Sequence, residues 1–438
     1  MNESRKFLIA VGIGALLLSL IASAGPAADC GGERCTAVAH GLVAFIDRRA
    51  AGLEGNGRAC ADCHMPTDHF QLSAANVEAR FQLLQWTRRY FPKADDPLFR
   101  PIDADDFRSR GAAATDFRNL RENGLVRVTM PLPPNVRLID PATNLQSPEV
   151  EVDVWRAVPS VFNVKLTGGN DGGTVGPRGP NASGGYQLDA RVADLQSQAR
   201  GAFINHAQVK REPGAGLLDD LAAFQDVLFS SPRVRSVADA MRTGAPIPDA
   251  DPPLDLLQKQ GKQVFTRSCA TCHGGAGLST PQPPVIRFSD IGTQCPRLVD
   301  PVSPPRFSFK PCPDRLARNA RTYEVTLSNG AVVRRTSSDP GRALLTGFAS
   351  TTPATDDWNK LDVPGLRGVS HTAPYFHNNS VDSLEDLVSH YREFFKRVQA
   401  LNPPGTAWPP ILSTDGVNID RPFKADEEAA LLAYLKTL

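Results

Sequence analysis

The chain has 438 residues, with 48 lysines and arginines against 47 aspartates and glutamates and a formal net charge of +1. So even a balance leaves no electrostatic footprint for nucleic acid or for an anionic membrane surface. The length allows two or three domains with cores of their own, and 37 prolines and 35 glycines favour short helices joined by long loops.

In chain order, the N-terminus reads as an export signal. Arg5 and Lys6 precede an apolar run from Phe7 to Ala22, and Ala22-Ser23-Ala24 is a small-x-small cleavage pattern. Residues 1–24 are expected to be a signal peptide, with an uncleaved anchor as the alternative. The run is short for a membrane span, and no later segment is long and apolar enough to be one. Asp29 before Cys30 argues against a lipoprotein site. A helix is predicted over Ala37–Asp47, ahead of Cys60-Ala61-Asp62-Cys63-His64. The Gly-rich stretch from Thr167 to Gly185 is predicted to be a surface loop, the alternative being a lid. Pro246 to Pro253 reads as a linker, which divides the mature chain into 29–245 and 254–438. Leu254–Phe265 is a predicted helix feeding Cys269-Ala270-Thr271-Cys272-His273. The proline-studded region from Pro281 to Pro313 looks irregular.

Strand signals are few, and the best is a hairpin over Thr322–Arg335 around Asn329-Gly330. Ser383-Leu384-Glu385-Asp386 has the form of a helix-capping box, and Leu384, Leu387, Val388, Tyr391 and Phe395 then recur on one face. Leu431, Tyr434, Leu435 and Leu438 close the chain at helical spacing. No internal repeat is visible beyond the pentapeptide. The fold class expected is mainly α.

The two Cys-x-x-Cys-His copies carry the chemistry. Thiols at this separation add across the two vinyl groups of one haem, and the next imidazole reaches the iron. The competing reading is a redox or zinc Cys-x-x-Cys pair with an accidental histidine, and a second copy in an exported chain weighs against it. Cys60, Cys63, Cys269 and Cys272 are thus expected to hold two covalent haem c groups, with His64 and His273 as iron ligands. Cys30 with Cys35, and Cys295 with Cys312, are candidate disulfides of an oxidising compartment such as the bacterial periplasm.

The methionines narrow the sixth ligands. Only Met1, Met65, Met130 and Met241 exist, none of them after the second motif. A methionine from the second half cannot close the second haem, which leaves His371, His377, His390 or a tyrosine. Met65 follows the first motif too directly to reach the opposite face. His40 and His69 are near enough in sequence to cap the first iron.

The run Val363-Pro364-Gly365-Leu366-Arg367-Gly368-Val369-Ser370-His371-Thr372-Ala373-Pro374-Tyr375-Phe376-His377-Asn378-Asn379-Ser380, then Leu384-Glu385, resembles the signature of the bacterial di-haem cytochrome c peroxidase superfamily. Pro159-Ser160-Val161-Phe162-Asn163 is similar to the segment before that family's distal pocket. With both haem motifs, the resemblance spans most of the mature chain. It implies two cytochrome c-like haem domains, the N-terminal haem meeting the oxidant and the C-terminal haem supplying or storing electrons. It also implies a small cytochrome or cupredoxin as electron donor.

The departures from that family are informative. Its peroxidases carry a methionine ligand where this chain has Tyr391, as does the related di-haem enzyme that matures tryptophan tryptophylquinone. A phenolate ligand stabilises oxidised iron. His390 is the rival ligand, by resemblance to the di-haem rubber oxygenases, and the two stand level. The family's distal tryptophan, aspartate, glycine, arginine, glutamine and glutamate correspond to Leu188, Asp189, Ala190, Arg191, Gln198 and Gln208. Leu188 thus replaces a bridging tryptophan, and Gln208 replaces the carboxylate that moves protons during O–O cleavage, a task an amide cannot perform. His206 is a candidate substitute base, and Ala202 and Phe203 add apolar bulk. The family often holds Ca2+ near Thr372 and Pro374 with an asparagine, but Ala157 stands at the asparagine's position.

Three readings follow: a peroxide-linked oxidoreductase acting at the His64 haem, an oxygenase binding O2 there and oxidising an organic substrate, and a plain electron carrier or redox sensor.

Overall fold

The computed structural model describes residues 33–167, 185–270, 272–278, 288–293, 313–350, 356–401 and 424–438. Cys30, Cys295 and Cys312, nearly all of the Gly-rich stretch and most of the proline-studded region lie outside these residues, as does the N-terminal apolar run. Among the described residues no helix is long and apolar enough to cross a membrane.

Helix is the main element. The first long helix, α1 (Glu33–Ile46), places Val38, Leu42 and Phe45 four and three residues apart, on one stripe. It is followed by α2 (Ala74–Arg88), capped by the Ser73 hydroxyl, then α3 (Leu195–Asn205), capped by Asp194, and α4 (Ala215–Gln225). Next come α5 (Pro232–Thr243) and α6 (Leu256–Ser268), the latter opened by a capping box. In that box Gln258 N–H donates to the Asp255 carboxylate at 2.8 Å, and Asp255 N–H donates to the Gln258 side-chain oxygen at 2.9 Å. The chain ends with α7 (Leu384–Leu401) and α8 (Ala425–Leu435). Half of the box expected at Ser383 forms: Asp386 N–H donates to the Ser383 hydroxyl at 3.0 Å.

Two helix crossings repeat a design that the sequence analysis did not recognise. In the first half α1 lies on α4 so closely that a Cβ on Gly41 would sit 1.9 Å from the Asp220 carbonyl oxygen. In the second half α6 lies on α8, and a Cβ on Gly261 would sit 1.9 Å from the Ala430 carbonyl oxygen. Four residues after each glycine comes a buried phenylalanine, Phe45 or Phe265. Each meets an aromatic ring of the crossing helix, Phe224 at 5.2 Å and Tyr434 at 5.5 Å between centroids. Leu221 and Leu431, three residues before those rings, are both buried. The repeat Gly-x-x-x-Phe thus builds two like cores, and burying each large side chain contributes about 1.5–3 kcal/mol.

A third core is β, against the expectation of few strands. β1 (Leu125–Pro131) pairs antiparallel with β3 (Glu151–Ala157), and β2 (Val136–Leu138) pairs with β4 (Arg321–Thr326). The hairpin of β4 with β5 (Val332–Ser337) turns at Asn329-Gly330 as expected, Gly330 having φ +84°. Met130, Val154, Tyr323, Val325 and Trp358 pack together between these strands. One sheet therefore joins residues on both sides of 246–253. That stretch is itself anchored. Asp251 is buried, receives the Arg367 guanidinium and the Lys262 ammonium (2.8 Å), and accepts a hydrogen bond from the Tyr434 hydroxyl at 3.0 Å.

Candidate functional site

Both pentapeptides adopt the same local geometry. His64 N–H donates to the Cys60 carbonyl at 2.8 Å, and His273 N–H donates to the Cys269 carbonyl at 2.8 Å. Each turn follows one of the two glycine crossings, after fourteen intervening residues in the first half and three in the second. Each imidazole is then fixed through Nδ1, which lies 3.1 Å from the Phe70 carbonyl for His64 and 3.0 Å from the Pro364 carbonyl for His273. A donor proton on Nδ1 leaves Nε2 with its lone pair, the state a metal ligand needs. Burial pushes both imidazoles down to about 4 and so keeps them neutral. Burial also pushes the Cys60, Cys269 and Cys272 thiols up to about 12 and Cys63 up to about 11. These are protonated, sheltered thiols, unlike the depressed-pKa cysteines of redox pairs.

The first turn is braced from behind. Asp62 is buried and receives Arg48 at 2.7 Å and Arg80 at 3.0 Å, while Arg80 also donates to the Asp62 carbonyl at 2.9 Å. In front of it opens a cavity of about 990 Å³, mouth included. Cys60, Cys63 and His64 line it, with Phe45, Leu221 and Gln225 from the crossing helices. Helix α3 contributes Gln198, Ala199, Ala202 and Phe203, and His206 follows at its C-terminal end. Arg156, Ala157 and Leu188 complete the strand side. No aspartate or glutamate is among the lining residues.

Three of the expected distal residues therefore meet at the first motif, and one does not. Gln198, Phe203 and His206 line the cavity. Gln208 is exposed and accepts from the Asn56 side chain at 3.1 Å, outside the cavity. The cause is local: α3 ends at Asn205, and Ala207 N–H and Val209 N–H fold back onto the Ala202 and Phe203 carbonyls. The chain leaves the cavity wall before residue 208. Burial lowers the His206 pKa, and the Arg58 charge lowers it further against the pull of Asp103. His206 is thus a neutral base on the wall. His69, the candidate cap, is turned instead toward His371, with the two rings stacked 5.3 Å apart.

Two further residues of this wall, Arg58 and Arg156, belong to no motif in the sequence. Arg58 is buried, paired with Asp103, and donates to the Leu98 carbonyl at 2.8 Å. Arg156 is held between Asp189 and Asp339, whose carboxylates keep it charged despite burial. Asp189 also takes Arg191 at 2.8 Å, so the aspartate and arginine beside Leu188 belong to this buried network. Their signal in the sequence was position only: Arg58 lies two residues before Cys60, and Arg156 three before Pro159.

At the second motif the two candidate ligands point different ways. His390 is buried, and its Nε2 lies 2.8 Å from the Ile291 carbonyl. Tyr391 packs with Cys269, Ala270, Phe394 and Phe395, and burial together with the Cys269 and Cys272 sulfurs pushes its hydroxyl pKa up. Phe376 touches both, its ring centroid 4.6 Å from His390 and 6.4 Å from Tyr391. Next to it, the His377 carbonyl accepts Ala157 N–H at 2.6 Å, and Ala157 lines the first cavity. Near Thr372 and Pro374, the Gln71 amide donates to the Ala373 carbonyl at 2.5 Å.

No family model matches the chain, and no curated protein does. Solved structures do. A MauG-like protein associated with microbial copper homeostasis shares 18% identity and a TM-score of 0.44, over 94% of this chain and 90% of that one. A variant of the diheme peroxidase BthA from Burkholderia thailandensis shares 15% identity and a TM-score of 0.42, over 92% and 85%. The chain is similar to them. Hydrazine synthase of Kuenenia stuttgartiensis is a further similar structure, at 18% identity and a TM-score of 0.32, over 85% of this chain and 94% of that one.

The donor set fits haem c at both motifs: two sheltered thiols and one neutral, oriented imidazole in each.

Proposed function

We propose that the chain is a periplasmic di-haem c-type cytochrome oxidoreductase of peroxidase type, in which the His64 site meets peroxide and the His273 site passes electrons to it. One observation carries the reading. The two motifs present the same Nδ1-anchored imidazole and each lines a cavity, about 990 Å³ at His64 and about 850 Å³ at His273 with mouths included, but only the first has a second histidine and a glutamine, His206 and Gln198, in its wall.

Haem bound at each motif supplies the iron that exchanges electrons and, at the first site, takes the oxidant. The chain's own residues do the rest. His64 and His273 would each offer Nε2 to a bound iron. Tyr391 would offer its oxygen at the second site, a donor that favours oxidised iron. His390 stands behind it, its Nε2 held by the Ile291 carbonyl. In the first cavity an imidazole nitrogen of His206 takes the first proton from peroxide and returns it to the leaving oxygen. The Gln198 amide orients the bound oxidant, and Phe203, Ala199 and Ala202 keep water low. Gln208, at the surface, takes no part.

Reduced holo-protein mixed with peroxide and a small cytochrome or cupredoxin donor tests this. Turnover should be slow, since the wall lacks a carboxylate, and His206→Ala should abolish most of it. Gln198→Glu, which puts a carboxylate on the wall, should raise it, whereas Gln208→Glu should leave it unchanged. Full activity in His206→Ala would refute the assignment.

The apolar, carboxylate-free wall also supports a second reading, an oxygenase that holds O2 and an apolar organic substrate there. Oxygen uptake by the reduced protein that rises with such a substrate, with no peroxide turnover, would select it.

A further inference from the structure

A short segment ahead of the first motif clasps the wall of its cavity. At its centre is Asn56. The Asn56 backbone N–H donates to the Ala207 carbonyl at 2.8 Å, and the side-chain amide donates to the His206 carbonyl at 2.9 Å and to the Gln208 side-chain oxygen at 3.1 Å. The side-chain oxygen accepts the Arg58 N–H at 3.1 Å. On either side, Lys210 N–H donates to the Leu53 carbonyl at 3.0 Å, and Glu54 receives Arg211. Gly55 lets the two segments meet, since a Cβ there would lie 2.8 Å from the Ala207 carbonyl oxygen.

The other end of the clasp is rigid. Arg58 is buried, and its guanidinium donates to the Pro97 and Leu98 carbonyls at 3.1 and 2.8 Å and pairs with Asp103. Two residues further on the chain reaches Cys60. His206 is pinned from the helix side as well, its N–H donating to the Ala202 carbonyl at 2.9 Å. Its backbone is thus fixed at the N–H by α3 and at the carbonyl by Asn56. Without Asn56 the carbonyl keeps only a 3.5 Å approach from the Arg58 guanidinium.

We propose that Asn56 is a positioning residue of the first site: it locks the His206 backbone to the turn that enters the motif, and so sets where the imidazole stands over the place the oxidant occupies. This rests on the reading of His206 as the base. A base works only within hydrogen-bond reach of the proton it takes, and a displacement of about 1 Å costs about a hundredfold in rate. The side chain suits the task, because an asparagine offers two donor hydrogens and an acceptor oxygen on a short stem. Aspartate keeps the oxygen for Arg58 but has no hydrogen for the His206 carbonyl, and alanine has neither. A glutamate at 208 still offers Asn56 an oxygen, so Gln208→Glu leaves the clasp closed.

Variants of the holo-protein test this with two readouts. One is the second-order rate of peroxide reduction. The other needs no turnover: hydrogen cyanide binds the ferric protein as the anion, leaving its proton on a base, and its association rate is read from the Soret band. Asn56→Ala should lower both rates about tenfold, with haem content and the cyanide-free spectrum unchanged. Asn56→Asp, equal in size, should lower them at least as far, and it serves as the test if Asn56→Ala does not take up haem. His206→Ala should lower both further, and adding Asn56→Ala to it should lower neither again, because one residue acts through the other. Additive losses in the double variant would overturn the proposal. So would Asn56 variants that lose thermal stability but keep both rates while His206→Ala loses them. Full rates in His206→Ala would instead refute the reading of His206 as the base, and the role of Asn56 would fall with it.

Discussion

The two Cys-x-x-Cys-His motifs are close copies, and what faces them is not. Each follows a helix with a glycine at its crossing and a phenylalanine four residues on, and each anchors its histidine Nδ1 at a backbone carbonyl. The cavity at the first, about 990 Å³, carries Gln198, Phe203 and His206 in its wall, whereas that at His273, about 850 Å³, carries Asp249, Asp251 and Lys262, with Tyr391, Phe394 and Phe395 in the core of that half. Attachment is a local property of five residues and one crossing. Reactivity is a property of the segment that comes back over the motif from more than a hundred residues away.

Removing attachment at one motif should break the comparison most completely. Cys60→Ser with Cys63→Ser is expected to leave one covalent haem per chain, and Cys269→Ser with Cys272→Ser the other, as read by the mass of the denatured protein. If either pair left both haems attached, the motifs would not act separately.

The crossings come next. Gly41→Val and Gly261→Val each force side-chain atoms into a backbone carbonyl that even a Cβ would approach to 1.9 Å, so each should cost about 3 kcal/mol or more in thermal unfolding. Comparable losses would mean that the two cores are built alike; a loss at one alone would mean that only one crossing is tight.

A change confined to the second site is expected from Tyr391→Phe. It should shift that haem's ferric spectrum and leave the first untouched, while His390→Phe should alter stability more than spectrum. The reverse pattern would assign the ligand to His390.

The smallest effect concerns Asp251. Burial raises its pKa, but the hydrogen bonds and charges of Lys262 and Arg367 outweigh that and lower it below its ordinary 3.8. A carboxyl with a depressed folded value stabilises fully above its unfolded value and loses that contribution as pH falls through the folded one. Wild-type stability should therefore fall more steeply below about pH 4 than that of Asp251→Asn, which should itself cost about 3 kcal/mol near neutrality. Parallel acid profiles for the two proteins would contradict the assignment.

Much of this was legible in the sequence where a short pattern has one physical meaning. The pentapeptides, the helix before the second of them and the Asn329-Gly330 turn all lie where spacing and turn chemistry put them. The strands β1 and β3 were missed although Val126, Val128 and Met130, and Val152 and Val154, alternate with polar residues; the runs are short, and each strand carries a buried arginine, Arg127 and Arg156, that reads as surface. The Gly-x-x-x-Phe repeat was in plain view, but a glycine inside a helix announces a close crossing only once the partner helix is known. Gln208 was matched to the family's carboxylate by its spacing from Gln198, and the helix that carries Gln198 stops at Asn205. Tyr391 and His390, one residue apart, stand level as candidate ligands, and the 2.8 Å approach of His390 Nε2 to the Ile291 carbonyl is not written in either residue's neighbourhood in the sequence.

Electron paramagnetic resonance of the ferric holo-protein tests the asymmetry most directly. One high-spin signal that disappears in Cys60→Ser with Cys63→Ser, beside one low-spin signal that changes in Tyr391→Phe, is the predicted result. Two low-spin signals, both indifferent to Tyr391, would contradict it.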